Sequence, residues 1–568
     1  MKNLDKLDTR TQIIILLDRA LKDGITVFLE NGEAKLKVSK KKNLDQELIA
    51  DLKRYKPEIT AFLIKEASNF AKANNSQELI EPFDRTTVDK IPLSFAQERL
   101  WFVDQMNGST AYHIPVVVKL KGNLNRAAFE QAFLEIIDQH EILRTLIQAE
   151  EGIPFQKIHH REAWTIQFLA GKNNSEAELA HQIETLIALP FDLSVDLPIR
   201  VSLIESAEAE HVLVVVMHHI ASDGWSNSVM MNEFIQRYNA ILNDRPANIP
   251  PLKIQYADFA CWQRLDKEED TISKQLNYWK NHLQNISPLE LPIDFPRPAI
   301  QSVRGDVCDF TLSKTTNNQL QTLANQQGTS LFMVLLSAFK VLLYRYTGNP
   351  DICISSTIAG RNKKEIEPLI GFFINTLPLR STLNGKLTFS SFLQQVKDTT
   401  LEAYAHQDVP FEQIVEGVGV QRDMSRSPIS QVMFNFLNLP GGEGEGVQDL
   451  EIESFYETSI SVKRDLTISI HKELDQLEMR MSYCRDLFEK ETIARMLNHY
   501  ANILEAIAAN PHQKIEELQL LDEAERTLLL KDFGTNKYDG PVDQTLVSLF
   551  EKQVQLFPDY TALVLGAA

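Results

Sequence analysis

The chain has 568 residues, of which 43% are hydrophobic, and a formal net charge of -19 at pH 7. This length and hydrophobic content allow several domain-sized cores. The negative charge argues against a nucleic-acid-binding protein, because such proteins need a basic surface to meet the phosphates. We therefore expect no nucleic-acid partner.

The cysteines and the apolar runs indicate the compartment. Four cysteines without close spacing favour free thiols in a reducing environment over a disulfide framework. The longest apolar run near the N-terminus, Ile13 to Leu17, is followed at once by Asp18 and Arg19. Such a run is too short for a signal peptide or a membrane helix, so we expect a cytoplasmic protein without membrane contact.

Residues 1–65 are predicted to form a small separate unit. Thr11 to Leu21 has a helical pattern, and the following ITVFLENGEAKLKV predicts a hairpin that turns at Asn31-Gly32. Asn43 to Ile64 then predicts two helical segments, the second able to begin at Pro57. This order of elements resembles the tubulysin-type N-terminal docking domain found on some synthetase subunits.

The charge of this unit fits a binding role. It carries 14 lysines and arginines against 10 acidic residues, and Lys35, Lys37 and Lys40 lie on or just after the second hairpin strand. One interpretation is that these lysines only protect a solvated edge strand from aggregation. The other is that an acidic C-terminal docking tail of an upstream synthetase subunit adds to this edge, with the lysines selecting the partner.

The main body of the chain follows a polar segment, residues 66–90, which is predicted to be a linker. Its central stretch is HVLVVVMHHIASDGWS, His211 to Ser226. Val212 to Val216 has no polar alternation, which is typical of a strand buried on both faces, and helical spacing begins at Trp225. A strand end, a polar turn and a helix start therefore lie close together, an arrangement that holds reactive groups on a rigid support.

The two adjacent histidines, His218 and His219, have three interpretations. They can be structural, with both rings hydrogen-bonded to nearby backbone. They can be ligands of a metal, although no HEXXH or CXXC spacing supports a zinc site and we expect none. They can also belong to HHxxxDG, which His218 to Gly224 fits as HHIASDG.

Further motifs decide between these interpretations. IPLSFAQERLWFVDQM begins at Ile91 and carries Ser94, Gln97, Arg99 and Trp101. Five more fragments follow in order: QHEILRT from Gln139, YADFACW from Tyr256, IGFFINTLPLR from Ile370, HQDVPFE from His406 and RDMSRSPI from Arg422. Together with HHIASDG, the set resembles the condensation domains of nonribosomal peptide synthetases, which are related to CoA-dependent acyltransferases.

The resemblance implies an α/β fold with mixed sheets, in a V-shaped pair of lobes that each resemble a chloramphenicol acetyltransferase subunit. We expect the N-terminal lobe over residues 91–290 and the C-terminal lobe over residues 291–525, divided near the proline-rich LPIDFPRP. Periodicity agrees with α/β content. It predicts helices at Ala127 to Gln139 and Leu331 to Tyr346, and strands at Val116 to Leu120 and Asp351 to Thr357.

The same resemblance assigns chemical roles around the motif. It implies that His219 acts on the attacking amine, as a general base or by orienting it, while His218 packs and orients. Asp223 could in principle orient His219, but the resemblance implies that it pairs with a buried arginine, which we expect to be Arg144. Gly224 would let the backbone approach the thioester and offer its N–H at a helix start to an oxyanion.

Three further residues are expected to contact substrate: Trp225 and Ser226 in the same turn, and Asn375 from the second lobe. The resemblance also implies that both substrates arrive on partner carrier proteins, a donor and an acceptor. Each would be tethered through 4'-phosphopantetheine, and no cofactor would be bound covalently to this chain. The forms MHHIASDGWS and SFAQERLWFVDQ favour the subtype that accepts an L-configured donor residue.

Two alternatives stay open: an epimerisation domain, which shares HHxxxDG, and an inactive docking or scaffold module. The chain has no phosphate-binding GxxxxGK[ST] loop for activating amino acids and no carrier serine after Gly441-Gly442. Residues 526–568 are predicted to be a linker and a truncated start of an adenylation domain, which Gln544 to Val564 resembles.

Overall fold

The computed structural model describes residues 25–30, 33–38, 52, 54–56, 58–60, 79–160, 164–171, 175–420, 423–437, 446–454, 462–473, 476–532 and 544–561. The chain divides into two compact units, Met1–Pro82 and Phe83–Ala568.

The first unit contains the predicted hairpin. Strands β1 (Ile25–Glu30) and β2 (Glu33–Val38) pair antiparallel, with Phe28 opposite Lys35 and Thr26 opposite Lys37. The described positions between 52 and 60 are helical apart from a turn at Tyr55, and Leu52 and Ile59 are buried there. The predicted helix from Thr11 to Leu21, the hairpin turn and Lys40 lie outside the described residues.

The second unit begins with the elements of the N-terminal lobe. The helices are α1 (Phe95–Asn107), α2 (Arg126–Gln139), α3 (Glu176–Ala188), α4 (Gly224–Leu242), α5 (Tyr256–Gln263) and α6 (Asp266–His282). The strands are β3 (Ile91–Pro92), β4 (His113–Gly122), β5 (Thr145–Glu150), β6 (Ile153–Ile158), β7 (Gln167–Ala170), β8 (Ile199–Ala207) and β9 (Glu210–His218). Helices α1 and α4 begin where their sequences indicate, because Ser94 and Asp223 cap the first free N–H groups.

The C-terminal lobe and the tail contain the remaining elements. The strands are β10 (Gly305–Leu312), β11 (Asp351–Ile358), β12 (Asn375–Thr382), β13 (Val432–Leu437), β14 (Leu450–Ser454), β15 (Leu466–Glu473) and β16 (Gln476–Cys484). The helices are α7 (Lys314–Gln327), α8 (Leu331–Thr347), α9 (Phe389–Ala405), α10 (Phe411–Val418), α11 (Lys490–Ala509), α12 (Glu523–Thr527) and α13 (Leu546–Leu556).

Each lobe is built on one mixed sheet. The N-terminal lobe has strand order β14-β4-β9-β8-β7, and the C-terminal lobe has order β10-β16-β15-β13-β11-β12. A third, small sheet is ordered β3-β6-β5. Strand β9 is central, paired antiparallel with β4 and β8, so its apolar run is buried on both faces as predicted.

The C-terminal part of the chain contributes one strand to the N-terminal sheet. Strand β14 comes from the part of the sequence expected to form the C-terminal lobe, yet it pairs antiparallel with β4 at the edge of the N-terminal sheet, where Ile452 lies opposite Leu120. This pairing covers one side of β4 and ties the two lobes together through main-chain hydrogen bonds.

Helix α8 is the centre of the C-terminal core. Twelve of its residues are buried, because it packs between the sheet and the other helices of the lobe. Of the helices in the described part of the chain, none is by itself long and apolar enough to span a membrane. Helices α7 and α8, which bend by 105° at their junction, meet the length and composition criteria only as a pair.

Candidate active site

The two histidines lie where β9 ends at the interface between the lobes. His218 is the last residue of β9, and His219 begins a short 3-10 turn that ends at Ala221. Asp223 then caps α4, which begins at Gly224. The predicted strand, turn and helix are therefore present, and β9 and α4 hold the turn from both sides.

His219 presents one ring nitrogen as a hydrogen-bond acceptor. Its Nδ1 lies 2.7 Å from the carbonyl oxygen of Ser222. A carbonyl oxygen only accepts, so Nδ1 carries the proton and the lone pair is on Nε2. The ring is half-buried and lies 4.7 Å from the ring of Phe372, measured between centroids.

Burial keeps this imidazole neutral. Burial is the main reason that the pKa of His219 is lowered to about 4; the positive charge of Lys463 acts in the same direction, and the hydrogen bond to Ser222 opposes both. Near neutral pH the ring is therefore uncharged, and its Nε2 can accept a hydrogen bond from an amine.

His218 is fully buried and cannot meet a substrate. Its Nδ1 accepts a hydrogen bond from the backbone N–H of Ile220 at 3.1 Å, and its Nε2 lies 3.5 Å from Oδ1 of Asp104. The ring also lies edge-on to Phe191. These contacts hold the turn that carries His219.

Asp223 forms a buried ion pair with Arg361. Arg361 Nη2 lies 3.2 Å from Asp223 Oδ1, and the two side chains are 1% and 0% exposed. The carboxylate also accepts hydrogen bonds from the N–H of Ser226 at 2.8 Å and the N–H of Phe373 at 3.1 Å. The carboxylate thus holds the His219 turn to the second lobe rather than orienting the imidazole.

The prediction that Asp223 pairs with Arg144 is wrong. Arg144 donates to the carbonyl oxygen of His159 at 2.7 Å and lies 3.7 Å from Glu141. The arginine that pairs with Asp223 comes from the loop after β11, in the other lobe, and supplies its charge across the interface. Only the pairing of lobes in three dimensions brings Arg361 to this position.

Ser226 joins the same network and does not contact substrate. Its hydroxyl lies 2.7 Å from Asp223 Oδ1 and accepts from Arg361 Nη2 at 2.9 Å and from the N–H of Gly371 at 3.1 Å. Because Ser226 is 0% exposed, its predicted role as a substrate-binding residue is wrong. Full burial makes it a structural link between the lobes.

Trp225 and Gly224 occupy the accessible part of the turn. The indole N–H of Trp225 donates to the carbonyl oxygen of Glu367 in the second lobe at 2.9 Å. Gly224 is exposed, and a Cβ at this position would meet no protein atom within 4 Å. The space beside the first turn of α4 is therefore open.

Three of the sequence motifs contact one another through Tyr256, Phe372 and Ser94. Tyr256 donates its hydroxyl proton to the carbonyl oxygen of Phe372 at 2.7 Å, and its oxygen lies 2.8 Å from Ser94 Oγ. Burial raises the pKa of Tyr256, so the hydroxyl stays protonated. A Cβ on Gly371 would lie 2.1 Å from the Tyr256 ring, so only glycine fits there.

Sequence reasoning did not single out Tyr256, Gly371 or Arg361. The first two lie within the fragments YADFACW and IGFFINT, so the motifs marked their neighbourhood without giving their roles. Arg361 lies outside every fragment, and no spacing in the sequence links it to Asp223.

A cleft of about 980 Å³, measured with its open mouth, lies between the lobes. Helices α1 and α5 form one wall, and the start of β12 with the loop before α10 forms the other. Asn375 lines it, but its amide donates to the carbonyl oxygens of Gln407 and Val409, both at 2.8 Å. Asn375 therefore shapes the cleft by holding this loop.

In the described residues, no group of three or more histidine, cysteine or acidic side chains is arranged to hold a metal ion. Of the four cysteines, each one a free thiol, Cys353 and Cys484 are buried.

Comparison with known proteins identifies the family. The Condensation domain profile matches residues 87–530. The chain belongs to this family. Condensation domains of nonribosomal peptide synthetases catalyse amide bond formation, an acyltransferase-type reaction.

The relatives are large synthetases. This condensation domain chain is 35% identical over 478 residues to tyrocidine synthase 2 of Brevibacillus parabrevis, which covers 83% of the chain and 13% of that protein. It is 33% identical over 554 residues to bacitracin synthase 2 of Bacillus licheniformis, covering 96% of the chain and 20% of that protein. The chain thus spans a fifth or less of the length of these relatives.

Solved structures confirm the predicted fold of mixed α/β lobes of the chloramphenicol acetyltransferase type. The X-domain from teicoplanin biosynthesis superposes with a TM-score of 0.70 at 29% identity, over 78% of this condensation domain chain and 100% of that one. The four-domain nonribosomal peptide synthetase AB3403 gives a TM-score of 0.71 at 23% identity, over 86% of this chain and 38% of that one.

Proposed function

We propose that this condensation domain transfers an aminoacyl, peptidyl or acyl group from an upstream donor carrier to the amine of an aminoacyl group on a downstream carrier. The amine nitrogen attacks the thioester carbonyl, a C–N bond forms, and the C–S bond breaks to release the donor arm as a thiol. The proton lost by the amine goes to the departing sulfur. Each carrier would present its substrate on a 4'-phosphopantetheine arm.

The observation that carries this proposal is the state of His219. A neutral imidazole with its lone pair on Nε2, at the interface between the lobes, can accept a hydrogen bond from the attacking amine. Its lowered pKa makes it a weak base, which favours orientation of a neutral amine over full proton abstraction. An α-amino group is itself substantially neutral near pH 8, so orientation is the larger need.

The open space beside Gly224 is where we place the thioester carbonyl. A charge that develops on the carbonyl oxygen there would face the first turn of α4, whose free N–H groups carry partial positive charge. The loop from Ile370 to Asn375 and the Asp223–Arg361 pair would keep the two halves of the site in register.

The product of one incubation tests this function. The protein is mixed with a donor carrier and an acceptor carrier, both loaded with aminoacyl groups. The groups attached to each carrier are then cleaved off and analysed by mass spectrometry and chiral chromatography. We expect a new amide on the acceptor carrier. An inverted stereocentre would instead show an epimerisation domain, and no change would show a scaffold module; either result refutes the proposal.

We also propose that the β1–β2 hairpin docks the upstream subunit through an acidic C-terminal tail. Lys35 and Lys37 are alternate residues of β2, and their positive charges would attract an added acidic strand. Lys40 would extend this basic surface. Together they would place the donor carrier on a separate polypeptide.

Charge reversal tests the docking proposal. Lys35→Glu with Lys37→Glu should weaken binding of the upstream tail by at least about tenfold, because like charges would then face each other. Isothermal titration calorimetry with the tail peptide measures this change. The same reversal at Lys314 and Lys490, on the condensation domain, is the control, and equal affinity for both double variants would contradict the proposal.

A further inference from the structure

Three cations lie close together at the edge of the interlobe cleft, where Arg99 repels both Lys463 and Arg464. Arg99 comes from α1 of the N-terminal lobe, and Lys463 and Arg464 precede β15 of the C-terminal lobe. Arg99 also pairs with a carboxylate, Glu412, whose Oε1 lies 2.8 Å from Arg99 Nη1. We call Arg99, Lys463 and Arg464 the cation cluster.

Lys463 reaches across from one lobe to the other. Its ammonium lies 3.9 Å from the ring centroid of Tyr112, in the N-terminal lobe. Partial desolvation lowers the pKa of Lys463 to about 8, and repulsion by Arg99 adds to the shift. The lysine is still mostly protonated near neutral pH, and its charge also acts on His219.

Arg464 adds a second charge from the same lobe. Its Nη1 donates to the carbonyl oxygen of Ser430 at 2.7 Å, and its guanidinium lies 5.7 Å from the Phe411 ring. The neighbouring Asp465 is already engaged, since Arg297 donates to both of its oxygens, at 3.0 and 2.6 Å. Glu412 is therefore the carboxylate that faces Arg99 and Arg464.

The cation cluster borders the reacting centre. Arg99, Glu412 and Phe411 line the cleft, and so does Phe372, whose ring contacts His219. Arg99 and Lys463 are exposed, and Arg464 is half-buried. Cations held this close repel one another, and a bound anion relieves that repulsion.

We propose that the cation cluster binds a carboxylate carried by one of the two aminoacyl groups, so that this condensation domain prefers an acidic residue as donor or acceptor. The inference rests on the proposed amide-forming function. A carboxylate on the side chain of an aminoacyl group lies a few bonds from the thioester and so reaches a cluster close to His219. The phosphate of the carrier arm lies at the other end of that arm, far from the reacting carbon.

Matched pairs of substrates test the inference. Donor and acceptor carriers are loaded with aspartate or asparagine, and with glutamate or glutamine, and kcat/KM is measured for each combination. On one of the two sides the wild-type protein should prefer the acid over its amide by about tenfold to a hundredfold, the value of a charge-assisted hydrogen bond. Lys463→Met should bring this ratio close to one, and Lys463→Arg should restore it.

Two further variants complete the design. Arg464→Gln should lower the same ratio, which gives a second readout should one substitution impair folding. Arg480→Gln is the control, because Arg480 on β16 pairs with Asp309 on the neighbouring edge strand β10 and is as exposed as Arg99. This control should keep the wild-type ratio.

Other outcomes separate this inference from the proposed function. If wild-type protein forms amides with acid and amide substrates equally on both sides, the inference fails and the function stands. The cluster could instead bind the phosphate of the carrier arm. In that case Lys463→Met would slow acid and amide substrates alike, and only for phosphopantetheine thioesters, not for thioesters that lack the phosphate; the inference then fails. If no combination yields an amide, both fail.

Discussion

At the scale of single residues, Asp223 and Arg361 form a buried ion pair that joins the two lobes. Both side chains are buried, so removal of the carboxylate leaves a guanidinium without its counter-charge. Asp223→Ala should therefore lower the free energy of unfolding by about 3 kcal/mol or more. Urea denaturation followed by circular dichroism measures this loss.

A surface pair provides the control for Asp223. Asp309 pairs with Arg480 where both side chains are well exposed, so Asp309→Ala should cost less than about 1 kcal/mol. Equal stability of the two variants, with loss of activity only in Asp223→Ala, would show that Asp223 acts in the chemistry and not in the scaffold.

Lys340 is a second buried charge with a measurable signature. It is 0% exposed within the C-terminal core, and its Nζ donates to Ser381 Oγ at 2.6 Å. Burial lowers the pKa of Lys340 to about 7, from 10.5 in the unfolded chain. Between these two values the unfolded state binds more protons than the folded state, so this residue makes stability rise as the pH rises.

Lys340→Met should remove that dependence. Between pH 7 and pH 9, the free energy of unfolding of the wild type should rise by about 2 kcal/mol more than that of the variant. This rise corresponds to a difference of most of one bound proton between the unfolded and folded states over two pH units. Denaturation curves at both pH values give the comparison. A difference between wild type and variant that does not change with pH would mean that Lys340 stays charged in the folded core.

At the scale of elements, the Ile370–Asn375 loop packs against α5 and so fixes the position of Phe372 beside His219. Gly371 lies against Tyr256, and a methyl group there would overlap a ring that is fully buried. Gly371→Ala should therefore cost about 1 to 3 kcal/mol by overpacking and should reduce amide formation, because the loop carries Phe372 beside His219.

The control for this loop is Gly446→Ala, since a Cβ on Gly446 meets no protein atom within 4 Å. Thermal unfolding and the carrier assay, run on both variants, test the comparison. An unchanged melting temperature and full turnover for Gly371→Ala would contradict the supporting role of this contact.

Several elements could be predicted from their sequences. The apolar run before His218 gave a central strand, the Asn31-Gly32 turn gave a hairpin, and the helix predicted from Ala127 to Gln139 is observed as Arg126–Gln139. Each depends on local periodicity and turn chemistry. The pairing of β14 with β4 could not be predicted, because strand order is set by contacts hundreds of residues apart.

At the scale of the whole molecule, the candidate site is formed by residues from both lobes. HHIASDG located the turn, but the roles of its residues follow from the second lobe, which supplies Arg361, Gly371 and Phe372. Burial across that interface is why Ser226 is structural and why Asp223 does not pair with Arg144. A sequence motif marks positions, while the partner of a buried charge depends on the fold.

We expect amide formation to depend most on His219, as the group that orients the amine. Single-turnover amide formation, with loaded donor and acceptor carriers, should be at least about a hundredfold slower for His219→Ala than for wild type. Carrier affinity should be unchanged, and the exposed-histidine control His181→Ala should react at the wild-type rate. Wild-type turnover by His219→Ala would contradict the account.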